Sequence, residues 1–153
     1  MGPEFTISVQ PSASVPASTE SEVIVATSGG TDWVQIFHGT DLGTAHWIRE
    51  HGVDQTRMTA YYNASYAFCT TTCLRTAKQY STLNNAVMMD GAIAAIFGAK
   101  IPIGVIKDLL NNNLVIEVAE DKAYEFRPPS FTTINSVMID RTVTVSSEIT
   151  FVG

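Results

Sequence analysis

Val34-Gln35-Ile36-Phe37-His38-Gly39-Thr40 is the stretch on which the reading of this chain turns. In an extended backbone Val34, Ile36 and His38 alternate onto one face, so an imidazole closes an otherwise apolar row. Gly39 lets the backbone approach whatever His38 faces, and Thr40 adds a hydroxyl beside it. The plain structural reading is a core strand whose last histidine is hydrogen-bonded at the surface. The functional reading is a strand that ends at a binding site.

Just beyond this stretch, residues 44–51 carry a helical pattern, with Thr44 as cap, Ala45 and Ile48 on one face and Gly52 as the stop. Just before it, residues 6–30 are rich in Ser, Thr, Ala and Pro and have no helical period. They read as a linker that Ser28-Gly29-Gly30 ends, with 7–9 and 23–25 as short edge strands at most. Met1-Gly2-Pro3-Glu4-Phe5 reads as a cloning remnant. The expected division is a remnant and flexible tail over 1–30 and one domain over 31–153.

Further along, an aromatic-rich strand is expected over 61–70, then a helix over 74–83 capped from the Thr70-Thr71-Thr72 run. Residues 92–97 are apolar throughout, as in a strand buried on both faces. Pro102 opens a helix over 103–110 that Asn111-Asn112-Asn113 ends. Strand patterns follow at 114–118, 123–127, 137–139, 142–145 and 149–152. Helices early and strands late, with little βαβ alternation, predict an α+β domain with a mixed or antiparallel sheet.

Composition limits what the chain can do. Its 153 residues, 45% hydrophobic and 16% charged, suit one domain with a real core. A net charge of −6 with nine Lys and Arg argues against a nucleic-acid backbone as partner. No apolar run reaches the roughly 18–20 residues of a membrane span. Cys69 and Cys73 lie four apart, which fits neither a CxxC redox pair nor a zinc site, and no metal is expected. His46 and His51 are five apart and do not share a helix face, and no GxSxG, Walker or GxGxxG motif is present. Asn63-Ala64-Ser65 is a sequon of the kind that arises by chance. Localisation stays open, with secretion as an effector or toxin one option if a leader once preceded the remnant.

Two later blocks carry candidate chemistry. In Tyr66-Ala67-Phe68-Cys69-Thr70, the residues Tyr66, Phe68 and Thr70 face one way in a strand, and two aromatics make a wall on which a planar ring can stack. In Ala123-Tyr124-Glu125-Phe126-Arg127-Pro128, Glu125 sits between aromatics on a strand that Pro128 ends. Glu117, Glu120 and Asp121 compete with it. Each block by itself also reads as ordinary core packing or a solvated strand charge.

Taken in order, His38-Gly39-Thr40, the aromatic strand leading into a helix, and the late Glu125 resemble the His-Tyr-Glu branch of the ADP-ribosyltransferases. This is the diphtheria-toxin and poly(ADP-ribose) polymerase side of the superfamily. The resemblance covers about residues 33–135. Ala123, two before Glu125, departs from the Glu-x-Glu pattern of the arginine-specific branch. The resemblance implies split, mostly antiparallel sheets with a few short helices and an NAD cleft.

It also implies transfer of ADP-ribose from NAD, used as a substrate, to a protein acceptor with release of nicotinamide. NAD hydrolysis in the same site, or a non-catalytic NAD-binding or secreted interaction module, are the alternatives. The implied roles are backbone pairing with nicotinamide by Gly39, with the Thr40 hydroxyl beside it, and a ribose hydrogen bond from His38. Tyr66 and Phe68 would sandwich nicotinamide beside Thr70, and Glu125 would be the catalytic carboxylate. Cleavage of the nicotinamide–ribose bond develops an oxocarbenium-like cation, which is why a carboxylate held near the ribose accelerates it.

Overall fold

The computed structural model describes residues 14–15, 25–28, 31–57, 67–88, 92–118 and 123–151. In chain order its strands are β1 (Ser14–Val15), β2 (Val25–Ser28), β3 (Thr31–Asp41), β4 (Phe68–Thr71), β5 (Ala94–Pro102), β6 (Val115–Val118), β7 (Ala123–Phe126), β8 (Ile139–Val145) and β9 (Thr150–Phe151). Its helices are α1 (Leu42–His51), α2 (Leu74–Met88), α3 (Ile103–Asn111) and α4 (Phe131–Val137). The class is α+β.

β3 and β5 form the centre, paired antiparallel from Trp33↔Pro102 to Asp41↔Ala94. The seven-stranded sheet runs β6-β7-β4-β3-β5-β8, with β2 paired to the first half of β3. Every pairing within it is antiparallel. β1 and β9 form a separate parallel pair.

Helices cover both faces of this centre, so every residue of β5 from Ala95 to Ile101 is buried. On one face Ala45 and Ile48 of α1, Ile106 and Leu109 of α3, and Phe131 and Ile134 of α4 pack on Val34, Ile36, Phe97 and Ile101. On the other, Leu74 and Ala77 of α2 pack with Phe37, Ile96 and Ile149. Each fully buried Phe or Ile contributes about 1.5–3 kcal/mol, so this double layer supplies the main driving force for folding.

Several expectations are corrected at element ends. α1 begins at Leu42, and its cap is Asp41: the carboxylate accepts the Thr44 amide at 3.0 Å and the Thr44 hydroxyl at 2.6 Å. Thr44 is therefore the capped residue rather than the cap. Gly52 does stop the helix, at φ 85°, its N–H bonded to the Ile48 carbonyl at 2.8 Å. α2 and β5 both run further than expected, to Met88 and Pro102.

Val137 ends a helix, α4, instead of opening a strand, because Phe131, Ile134 and Met138 recur at helical spacing into the core. Val25–Ser28 is an edge strand on β3, so the sheet starts ahead of residue 31. The pair of split sheets takes the form of one sheet with a seam: among the described residues β3 and β4 meet in a single pair, Phe37↔Thr71.

Candidate functional site

The seam is where the candidate residues lie. His38, one residue past the Phe37–Thr71 pair, turns its ring toward β4, and Nδ1 is 2.6 Å from the Cys69 carbonyl oxygen. A carbonyl only accepts, so Nδ1 carries the hydrogen and, in the neutral ring, Nε2 holds the lone pair. The ring leans on Phe68 with centroids 4.6 Å apart and planes at 40°. Burial pushes the His38 imidazole below its ordinary value, overriding the Cys69 carbonyl and the Asp41 charge, which act the other way. The half-buried His38 is thus a neutral imidazole of fixed tautomer.

Asp41, three residues on, is the α1 cap. Burial pushes its carboxyl up, but hydrogen bonds from the Thr44 hydroxyl and from backbone amides outweigh that and hold it below the usual value. Thr40, half-buried between the two, turns its hydroxyl toward an Asp41 oxygen at 3.5 Å.

Gly39 does permit a close approach, but the approaching group is α2. A Cβ here would overlap the Ala77 carbonyl oxygen and come 2.7 Å from the Ser81 amide nitrogen. The bare face of Gly39 is therefore a helix seat.

β4 corrects the expected aromatic wall. Phe68 is 1% exposed, wedged between Phe97 and Phe126 at centroid distances of 6.4 and 6.3 Å. It backs His38 and has no open face on which nicotinamide could stack. Thr70 is buried too, its hydroxyl donating to the Tyr124 carbonyl at 3.0 Å. Tyr66, with Glu120 and Asp121, lies outside the described residues.

Glu125 is half-buried and lies directly opposite Cys69 in the β4–β7 register, with Ile116 opposite it on the other side. Phe68 and Phe126 face each other on the His38 side of the sheet, so strand alternation turns Cys69 and Glu125 to the other side. His38 and Glu125 thus lie on opposite faces of the sheet, on β3 and β7, with β4 between them. Glu117, the competing carboxylate, is exposed on the His38 side opposite Tyr124 and accepts that residue's hydroxyl. Burial first, and Glu117 second, push the Tyr124 phenol up, which keeps it a donor.

Sequence reasoning passed over Cys69, the residue that links the two halves of the arrangement. Its carbonyl fixes His38 while its side chain shares a row with Glu125. The signal was its position between Phe68 and Thr70: alternation alone sends it to the opposite face. Part of Cys69 is exposed, yet burial of the thiol, with the Glu125 charge second, pushes it up to about 11. A thiol that stays protonated at neutral pH is no nucleophile.

Among the described residues, no group of three His, Cys, Asp or Glu could hold a metal ion, and no helix is long and apolar enough to cross a membrane. Comparison with family models, curated proteins and solved structures returned no match.

Proposed function

We propose that this chain transfers ADP-ribose from NAD to an acceptor and releases nicotinamide. The observation that carries the reading is the double role of Cys69. Its carbonyl holds His38 at 2.6 Å, and it stands directly opposite Glu125, so one four-residue strand connects the two residues that the family resemblance assigns to NAD, one on each face of the sheet. His38-Gly39-Thr40 follows directly on the pair Phe37↔Thr71 that joins β3 to β4, which sets the motif at the seam.

In this reading NAD lies across the seam. His38 Nε2 accepts a hydrogen bond from a ribose hydroxyl, a role that requires the neutral ring described above. The backbone edge of Gly39 pairs with the nicotinamide amide. With Phe68 in the core, ring stacking falls to Tyr66 on the resemblance alone. Glu125, reaching from the far face, stabilises the cation that forms at the ribose C1′ as the bond to nicotinamide breaks. The electron pair of that bond leaves with nicotinamide, the acceptor's lone pair forms the new bond to C1′, and the acceptor's proton passes to solvent. No group in this scheme has to be a metal.

Nicotinamide release from NAD by purified protein tests the reading, beside Glu125→Gln and His38→Ala. Turnover should fall about 10²–10³-fold in Glu125→Gln, the usual cost of losing one preorganised electrostatic group. His38→Ala should lose affinity for NAD as well as rate. Absence of release by the wild type, with no thermal shift on adding NAD, would overturn the proposal.

A further inference from the structure

Among the described residues the sheet ends at β6, next to the strand that carries Glu125. β6 pairs with β7 on one side over all four residues, and among the described residues no strand pairs with its other side. Edge strands of this kind are templates for another extended chain unless they are covered or charged. Ile116, in the middle of β6, is 39% exposed although it is a large apolar side chain. It lies directly opposite Glu125, which lies directly opposite Cys69. A row of side chains therefore leads from this edge inward: Ile116, Glu125, Cys69.

We infer that β6 is where the acceptor docks, and that the acceptor is an extended protein segment bearing Lys or Arg. Its backbone adds to Val115–Val118 as an eighth strand, and one long cationic side chain crosses Ile116 toward Glu125. This inference rests on the transfer chemistry proposed at Glu125. An added strand would lie roughly 10 Å from β7, two strand spacings away, a gap that an extended Lys or Arg closes against a Glu side chain.

Charge selects this occupant over a second copy of the chain. Among the described residues, β6 carries Glu117 and its neighbour β7 carries Glu125, and the chain as a whole has fifteen acidic against nine basic residues. Two copies pairing through β6 would bring together two chains that each carry a net charge of −6, and that self-repulsion opposes association. A cationic segment meets the same carboxylates favourably, with Ile116 packing against the aliphatic stem of its Lys or Arg.

The test is fluorescence anisotropy of the full chain with a labelled peptide of alternating Val and Lys. Three comparisons accompany it: the same peptide with alternate backbone amides methylated, a Val-Glu peptide, and the variant Ile116→Lys. Saturable binding is expected, weakened at least ten-fold by methylation, by the Glu peptide and by Ile116→Lys. Equal binding of the methylated peptide, insensitivity to Ile116→Lys, or no binding at all overturns the inference. So does sedimentation showing a dimer that Ile116→Lys dissolves, which would give the edge to a second copy. Nicotinamide release separates the two levels. Peptide binding without release refutes the proposed function and leaves the docking strand. Release without peptide binding does the reverse.

Discussion

The hydrogen bond from His38 Nδ1 to the Cys69 carbonyl fixes the tautomer, and the burial that depresses its basicity also links this residue to stability. The unfolded chain takes up a proton on His38 near the ordinary value of 6.5, and the folded chain does so only at lower pH. The contribution to stability is complete above that value and is lost as the pH falls through the folded one. Urea unfolding should therefore show wild type losing stability between about pH 7.5 and 5 that His38→Gln does not lose, and matching slopes would count against it. Gly39 sets a second constraint at this scale. Ala at position 39 would drive a Cβ into the backbone of α2, where neither the Ala77 carbonyl nor the Ser81 amide can rotate away. Gly39→Ala should cost about 1–3 kcal/mol by the usual penalty of overpacking, measured as a lowered urea midpoint. An unchanged midpoint would mean that α2 can shift off β3 freely.

At the scale of elements, the turn from β3 into α1 depends on Asp41. Its carboxylate takes the Thr44 amide and hydroxyl, satisfying a donor that the first turn would otherwise leave bare. Asp41→Ala should cost about 1 kcal/mol, and Asp41→Asn a smaller part of it; circular dichroism during thermal unfolding would register both. An Ala variant as stable as wild type would make the cap dispensable.

This junction also shows what the sequence could and could not reveal. The strand, the helix and the Gly52 stop were readable because apolar alternation, helical spacing and a glycine with φ of 85° are local properties. The choice of Asp41 over Thr44 as cap was not, since both are good capping residues and the strand's last pair, Asp41↔Ala94, decides between them. α4 was hidden for a related reason: Val137-Met138-Ile139 looks extended, and only the packing of Phe131, Ile134 and Met138 into one core reveals the helix. Phe68 looked like a binding wall because alternation states which side a residue faces and not what covers that side.

At the scale of the whole molecule, two parts of the sheet meet among the described residues at the backbone pair Phe37↔Thr71, and side-chain contacts add to the joint. Phe68 is the centre of that joint. It touches Phe126 on the β7 side, Phe97 on the β5 side and the His38 ring between them. Glu125 is held on the β6-β7-β4 part and His38 on the other, so the spacing of the two candidate NAD residues depends on this aromatic contact. Phe68→Ala should cost about 3–5 kcal/mol, because a fully buried aromatic leaves a cavity that two strands with little shared backbone bonding cannot close. Phe68→Leu, which keeps much of the volume, should cost less. Hydrogen exchange distinguishes a loosened joint from general destabilisation. In Phe68→Leu the amides of β4, β6 and β7 should lose protection more than those at the centre of β3 and β5, whose long ladder from Trp33↔Pro102 to Asp41↔Ala94 is untouched. A uniform loss across both parts would mean that the sheet opens as one unit, and that the seam is no hinge between His38 and Glu125.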